Sequence, residues 1–356
     1  MTWRLRHEDI DILTLGSSLL GSGGGGNPYI GGLLLKKSME KLGIDGIEVI
    51  APDSINDDAT IIASAGMGSP TIGSEKLPNG EEYARSLSRL EKDMEIEFEY
   101  VTPSEIGGAN SVVPFIAALF RGLPVLDGDG EGRAFPELQM TTFNLYGISS
   151  TPMCLADERG NELIINSVDN LWAESIARSV TARFGGRGYV ANYPMSGKDY
   201  KKSAVKNSVS RARDLGELLS RGMRNNSVED VLTKEAGASE LFDGKLTDLV
   251  RENNGGFSIG YAIFRSTEGE KTSRIRFQNE YLFFDEKIEG DMIEIVTTPE
   301  IICILDRETY MPITTDRLRY GQRCKVFSLP VGEKWNHPLA DDLVGRRVFS
   351  VLKHFQ

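Results

Sequence analysis

The sequence predicts an α/β protein with two domains. We expect residues 1–167 to form a three-layer α/β/α domain with a mostly parallel sheet, and residues 168–356 to form a domain that contains a β-barrel and helices. Three observations lead to this prediction. The chain has 356 residues, whereas one domain usually has about 100–200. Its first half alternates helical and strand patterns over connections too long for hairpins, as parallel sheets require. From Gly255 onward, short alternating strands are separated by turn residues, as in small antiparallel barrels.

The first two helices have clear sequence signals. Apolar residues recur at helical spacing over 10–20, which predicts an amphipathic helix. Asn27 is a favoured N-cap residue and Pro28 is favoured in the first helical position, so a second helix should begin there. This helix should end at Leu42, because Gly43 follows and glycine commonly terminates helices.

The remaining elements follow from hydrophobic periodicity and from the residues that bound each run. Helices are predicted over 79–94, 111–120, 139–146, 172–184 and 201–223, with Ser111 as a cap for the second of them. Strands are predicted at 48–51, 60–65, 98–101, 124–126, 256–264, 273–284, 292–297, 301–305 and 322–329.

The composition argues against several classes of protein. A formal charge of −12 opposes contact with phosphate backbones, so we expect no nucleic-acid partner. The three cysteines lie far apart and form no CxxC motif, which argues against a disulfide framework. With three histidines, an HExxH zinc site or a histidine-dependent triad is not expected. The chain shows no signal-peptide pattern and no run near 18 apolar residues, so we expect a cytoplasmic protein without membrane contact.

The glycine loop, residues 21–29, is the strongest local signal for a ligand site. Consecutive glycines let the backbone approach a ligand without Cβ obstruction, and the helix that follows adds its positive N-terminal end. The loop fits neither the Rossmann fingerprint nor a P-loop. The alternative interpretation is a hinge between packed helices. The candidate binding residues are Ser22, Gly23, Gly24, Gly25, Gly26 and Asn27.

The acidic turn, residues 127–137, is the densest group of reactive side chains. It directly follows a predicted buried strand, and its acids alternate with glycines. Such carboxylates transfer protons or bind a metal; the alternative is a solvated turn held by its arginine. The candidate catalytic residues are Asp127, Asp129, Glu131, Arg133 and Glu137.

Two other turns follow predicted strands and add candidates for substrate binding. In an open sheet the loops beyond the strand ends line the ligand crevice. Glu75 and Lys76 lie after the strand at 60–65, where a surface ion pair is the alternative. Glu105, Gly108 and Asn110 lie between the strand at 98–101 and the next helix, where capping alone also explains Asn110.

No cofactor is identified by these patterns, although a divalent metal ion would suit the carboxylates. The candidate metal ligands are Asp127, Asp129 and Cys154. Most cysteines with apolar neighbours, like Cys154, are inert core residues instead.

Four stretches taken together resemble the S-methyl-thiohydantoin desulfurase family. They are GSGGGGNPYIG, PSEIGGANSVVP, LPVLDGDGEGRAFPELQM and LDRETYMPITTDRLRYGQRCKVFSLP, and the resemblance spans about residues 8–350. It implies a three-layer α/β domain followed by a domain with a β-barrel. It also implies hydrolysis of the C–S bond at C2 of an S-methyl-thiohydantoin, which gives a hydantoin and methanethiol. Some members have Cys or Thr in place of Ser22 and Asp in place of Asn27.

In this chemistry, Asp127, Asp129 or Glu131 would deprotonate water, directly or through a divalent cation. Arg133 and the N–H groups of Gly23–Gly26 would stabilise the developing negative charge. Two alternatives stay open: an ATP-dependent subunit associated with a hydantoinase/oxoprolinase protein, and a non-catalytic module that binds a small molecule. The expected partners are a small-molecule substrate and either a hydantoinase/oxoprolinase protein or a second copy of the chain.

Overall fold

The computed structural model describes residues 2–68, 72, 76, 78–267 and 269–355, with side chains up to residue 352. The α-helices within this part, labelled α1 to α10 in chain order, are Ile10–Leu20, Pro28–Leu42, Glu81–Met94, Val113–Arg121, Thr142–Leu145, Asn170–Arg183, Gly197–Ser203, Ser208–Asn225, Val228–Lys234 and Ala340–Val344. The strands β1 to β17 are Trp3–Arg6, Gly46–Ile50, Thr60–Gly68, Tyr100–Pro103, Val125–Leu126, Gly128–Asp129, Met153–Ala156, Glu162–Ile165, Arg187–Ser196, Val205–Lys206, Ser239–Asn254, Phe257–Ser266, Thr272–Gln278, Glu280–Ile288, Asp291–Thr297, Ile301–Asp306 and Arg323–Leu329.

The first sheet has the strand order β1-β2-β5-β4-β3-β9-β7-β8. Its four central strands, β2, β5, β4 and β3, pair in parallel, as the long helical connections predict. The flanking strands pair antiparallel with this centre. The predicted α/β class with its parallel sheet is therefore confirmed, and the antiparallel margins are an addition from the structure.

Helices cover both faces of this sheet, and β7 shows the arrangement. Met153 and Leu155 pack into the same cluster as α6. Their neighbours Cys154 and Ala156 pack into the large cluster that includes α3. Since successive side chains of a strand point to opposite faces, α3 and α6 lie on opposite sides of the sheet. The predicted three layers are thus present.

The second sheet is an antiparallel half-barrel with the order β15-β14-β13-β12-β11-β17-β16. Its first long strand, β11, was not predicted. The single strand predicted at 273–284 is in fact two strands, because the chain reverses at Asn279. Asn279 has a φ of 57°, a left-handed conformation that asparagine tolerates better than most residues.

Three other predictions about elements need correction. The helix predicted at 201–223 is interrupted by β10, which pairs with β6 of the acidic turn and so overrides the helical pattern. The helix predicted at 139–146 shortens to Thr142–Leu145. Ser111 does not cap α4, since its hydroxyl donates instead to the carbonyl of Gly108.

The predictions for α1 and α2 are confirmed to the residue. Asn27 Oδ1 accepts the N–H of Tyr29 at 3.0 Å, and Gly43 ends α2 with a φ of 66°. Beyond residue 167, β9 returns to the first sheet and pairs with β3 and β7. Across the described residues, none of the helices is long and apolar enough to cross a membrane.

Candidate active site

A cavity of about 540 Å³ lies at the ends of β3 and β4, where these strands meet the glycine loop, the acidic turn and the start of β14. Its polar end is formed by Ser104, Glu105, Glu131, Asn192 and Glu280. All of these side chains except Glu105, which is half-buried, are at least nine-tenths buried. The parts of the chain that follow the parallel strands thus converge, as expected for an open α/β sheet.

The glycine loop brings the second half of the chain into this cavity. A Cβ atom on Gly24 would lie 1.9 Å from the carboxylate of Glu280, so only glycine allows this approach. Gly25 has a φ of 68°, and its carbonyl accepts the N–H of Ala109 at 2.8 Å. The glycines therefore let the loop pack tightly against two partners, β14 and the turn before α4.

Glu280 enters the cavity from the start of β14. Its Oε1 accepts the N–H of Gly25 at 3.2 Å, while its Oε2 is buried and has no hydrogen-bond partner among the described residues. Burial raises the pKa of Glu280 to about 7, and the positive charge of Arg133 limits the rise.

Glu105 approaches from the turn after β4. Asn110 donates to Glu105 Oε1 and to the carbonyl of Gly66, and its own Oδ1 accepts the N–H of Gly66 at 2.7 Å. The second oxygen of Glu105, Oε2, is buried without a described partner. Burial raises the pKa of Glu105 well above its usual range, and the charge of Glu280 raises it further.

Glu131 comes from the acidic turn and completes the group. Its Oε2 is also buried and accepts no hydrogen bond from the described part of the chain. Burial raises the pKa of Glu131 well above its usual range, with a further contribution from the charge of Glu105. The cavity therefore joins three carboxyl groups, each with one oxygen that no described residue bonds.

Asp129 lies behind this group and does not line the cavity. Its Oδ2 accepts the backbone N–H groups of Ile106, Glu131 and Gly132 at 2.9, 3.0 and 2.8 Å. Burial still raises the pKa of Asp129 to about 7. These hydrogen bonds hold the backbone next to Glu105 and the backbone of Glu131 in place, and so they support both side chains.

Asp127 and Arg133, predicted as catalytic, also lie outside the cavity lining. Asp127 Oδ1 accepts the N–H of Ser210 at 2.9 Å, so it caps the first turn of α8. Arg133 donates to the carbonyls of Pro299 and Tyr281 at 3.0 and 3.1 Å. Because these N–H groups are engaged, Arg133 joins the acidic turn to the half-barrel and acts on the carboxyl groups through its charge alone.

The candidates in the glycine loop also include some residues that line the cavity and some that do not. Gly25, Gly26 and Asn27 line the cavity. Ser22 does not, because its hydroxyl lies between the carbonyls of Tyr281 and Ile302, within hydrogen-bond distance of both, and accepts the N–H of Ile302. Gly23 packs on the Tyr281 ring, which a Cβ atom would enter at 2.3 Å. The family difference at Ser22 therefore lies beside the cavity rather than in it.

The N–H groups predicted to stabilise charge are partly engaged within the protein. Gly24 N–H donates to the carbonyl of Gly21 at 2.8 Å, and Gly25 N–H donates to Glu280. The loop therefore holds the carboxylate that lines the cavity, a role that the sequence prediction did not contain.

Of the other candidates, Asn110 and Glu137 line the cavity, and Glu75 lies outside the described residues. Gly108 has a φ of 64° and packs directly on Gly25. Lys76 is directed elsewhere, since its ammonium group pairs with Glu158 at 2.8 Å.

The predicted metal ligands are not brought together. Asp127 caps α8, Asp129 accepts three backbone N–H groups, and Cys154 lies in the core with its pKa raised to about 12 by burial. Throughout the described ranges, no three His, Cys, Asp or Glu side chains are arranged to hold a metal ion. These residues therefore do not fit a metal site.

Sequence reasoning missed Glu280, Asn192 and Ser104. Ser104 Oγ donates to Asn192 Oδ1 at 3.0 Å at the polar end of the cavity. A signal for Glu280 was present: Asn279 and Glu280 form a polar pair that, together with Gln278, breaks the alternation of apolar and polar residues in the predicted strand. Such a pair indicates a turn or a functional side chain rather than a continuous strand.

Comparisons with known proteins agree with this architecture. A family model described as "S-Me-THD-like, N-terminal domain" matches residues 8–167, and one described as "S-Me-THD-like, C-terminal domain" matches residues 168–355. No curated protein matches. A crystal structure of a protein from Chromobacterium violaceum is similar, with 24% identity and a TM-score of 0.82. The match covers 98% of this chain and 97% of that one, and at this identity it shows the fold alone.

Proposed function

The chain belongs to the S-Me-THD-like family, and from this premise we propose that it hydrolyses the C–S bond of an S-methyl-thiohydantoin. The products are a hydantoin and methanethiol. One observation carries the proposal: Glu105, Glu131 and Glu280 meet in one cavity, each with a buried oxygen that no described residue bonds.

The reaction needs one base and one acid. Water adds through its oxygen to C2, which carries the methylthio group and a double bond to a ring nitrogen. A base takes one proton from the water, and an acid protonates the ring nitrogen. The C–S bond then breaks, the base returns its proton to sulfur, and the hydroxyl proton on C2 goes back to the acid. The products thus gain two protons, one from the acid on nitrogen and one from the water on sulfur, while the second water proton restores the acid and the base ends as it began.

The three carboxyl groups differ in the way that this chemistry requires. Glu280 has a pKa of about 7, so a large fraction is ionised at neutral pH and can act as the base. Burial raises the pKa values of Glu105 and Glu131 well above the usual range, which favours the protonated form that the acid needs. Neighbouring acids whose pKa values are pushed apart are the usual arrangement for paired acid and base catalysis.

Two helices add electrostatic stabilisation at the same end of the cavity. The helix α2 begins at Pro28, directly after the cavity-lining residues Gly25–Asn27, and α4 begins shortly after Asn110. The N-terminal end of a helix carries a partial positive charge. Both ends are therefore placed to stabilise negative charge that develops on the ring as water attacks.

The test is a product assay in ¹⁸O-labelled water. Purified protein is incubated with S-methyl-thiohydantoin, methanethiol is measured with a thiol reagent, and the hydantoin is analysed by mass spectrometry. We expect both products in equal amounts, with one ¹⁸O atom at C2. A heat-inactivated sample gives the uncatalysed rate, and a chelator-treated sample shows any dependence on metal. Release no faster than the uncatalysed rate from folded protein would contradict the proposal.

A further inference from the structure

The cavity extends well beyond the three carboxyl groups. Cavities of about 300–1,000 Å³ hold whole drug-sized ligands, so a volume of about 540 Å³ exceeds what a single five-membered ring needs. The additional space is lined mainly by apolar side chains from α2, α4 and the adjoining segments. These side chains are Ile30, Leu33, Leu34, Met67, Val113 and Ile116.

The direction of this apolar part follows from the two helices. Along α2, Ile30 and Leu34 are four residues apart and Lys37 is three further, so they share one helix face. At a rise of about 1.5 Å per residue, this face runs about 10 Å from Ile30 to Lys37. Since α2 starts beside Glu280, its apolar face leads away from the carboxyl groups, and Lys37, which is exposed, marks the outer end.

The helix α4, which packs against α2, repeats the arrangement. It begins close to Asn110, which bonds Glu105, and it places Val113 and Ile116, three residues apart, along the cavity. Both side chains are almost completely buried. The two helices thus form an apolar channel that starts at the carboxyl groups and leads outward.

We propose that this channel holds an apolar substituent on ring carbon C5 of the substrate. The inference rests on the proposed function, since the carboxyl groups fix the ring at the inner end. The substrate class is then an S-methyl-thiohydantoin with an aliphatic or aromatic side chain, as would be formed from an apolar amino acid. A ring without a substituent would leave the channel walls uncovered by ligand.

The first experiment compares rings whose C5 carries hydrogen, methyl, isobutyl or benzyl. For each, kcat/KM for methanethiol release is measured, and the dissociation constant of the matching hydantoin product is measured by calorimetry. Each buried methylene should improve binding about three- to fourfold, so isobutyl should exceed hydrogen by about 10²-fold. The binding series is informative even if the protein does not turn these compounds over.

Leu34→Trp is the diagnostic variant, because it fills the channel from a half-buried position on α2. It should reduce the preference for isobutyl over hydrogen to less than about tenfold. Leu42→Trp is the matched control, since Leu42 lies on the same helix, is 41% exposed and does not line the cavity. If Leu34→Trp fails to fold, Leu34→Ala should also weaken the preference, by several fold.

The outcomes separate the two proposals. A flat series in both binding and kcat/KM, with turnover of the unsubstituted ring, would overturn the channel inference and leave the proposed function standing. Absence of turnover for every compound, with binding that still rises from hydrogen to isobutyl, would contradict the proposed function and support the channel. Equal losses of preference in Leu34→Trp and Leu42→Trp would also overturn the inference.

Discussion

The acidic turn and the start of β14 each contain a buried carboxyl group whose pKa is raised to about 7, yet their surroundings differ. Asp129 Oδ2 accepts three backbone N–H groups. Glu280 accepts one, from Gly25. Each of the two has a second oxygen that is buried without a described partner, but Glu280 lines the cavity and Asp129 does not. A raised pKa alone therefore does not identify a catalytic acid. The side chain must also direct an oxygen to the place where a substrate binds.

The largest expected effect is a difference in kcat between variants of two acids that line the cavity. Glu131→Gln should lower kcat by about 10²- to 10⁴-fold, because it removes an acid from the reaction centre. Glu137→Gln is the matched control. Glu137 lines the same cavity, but its two oxygens accept the side-chain amides of Gln139 at 2.6 Å and Gln278 at 3.4 Å. We expect this variant to keep kcat within a few fold.

The measurement is the rate of methanethiol release, with thermal unfolding of both variants to show that they are folded. Equal losses of kcat in the two variants would show that catalysis does not depend on whether the carboxyl oxygens are already hydrogen-bonded within the protein. Full activity in Glu131→Gln would remove Glu131 from the mechanism.

The next effect is the pH dependence of stability. The pKa of Glu280 is about 7 in the folded protein, whereas the ordinary value, which applies to the unfolded chain, is 4.5. The folded state therefore holds an extra proton between these values, and the free energy of unfolding falls as the pH rises through this window. Over the window the contribution of Glu280 amounts to roughly 3 kcal/mol.

Glu280→Gln should flatten this part of the curve. Urea unfolding of both proteins from pH 4 to 8 measures it, and the variant should be more stable than the wild type at pH 8. Parallel curves of unfolding free energy against pH would show that ionisation of Glu280 does not destabilise the fold. The comparison with Asp129 would then not hold.

A smaller effect tests the packing that brings Glu280 into the cavity. Gly24→Ala places a Cβ atom 1.9 Å from the Glu280 carboxylate, which must move. Since a displacement of about 1 Å in a catalytic group costs up to about 10²-fold, we expect kcat/KM to fall by about 10- to 10²-fold. Gly43→Ala is the control. Gly43 has a φ of 66° and no neighbour within 4 Å, so this variant should lose stability without losing kcat/KM. An unchanged kcat/KM in Gly24→Ala would contradict the role of the loop.

The same comparison shows what could be predicted from the sequence. The caps of α2, the parallel centre of the first sheet, and Glu105, Asn110 and Glu131 all depend on local patterns and were predicted. Glu280 was not, because its bond to Gly25 joins positions 255 residues apart. The directions of Asp127 and Asp129 were not predicted either. Asp127 precedes β6, whose pairing with β10, about 75 residues later in the chain, brings the first turn of α8 to its carboxylate. Asp129 accepts N–H groups of its own turn and of Ile106, which lies 23 residues earlier.

The smallest effect tests Asp127, which the sequence placed among the catalytic residues and the structure places on the first turn of α8. Asp127→Ala removes the acceptor for Ser210 N–H and should lower the free energy of unfolding by about 1–2 kcal/mol, as the loss of a helix cap does. Asp127→Asn keeps an acceptor and should lose less. Urea unfolding measures both, and kcat should change by no more than a few fold. If Asp127→Ala instead kept its stability and lost turnover, the acidic turn would act as a unit, and a buried carboxylate bound by backbone N–H groups would have to be counted among the catalytic acids.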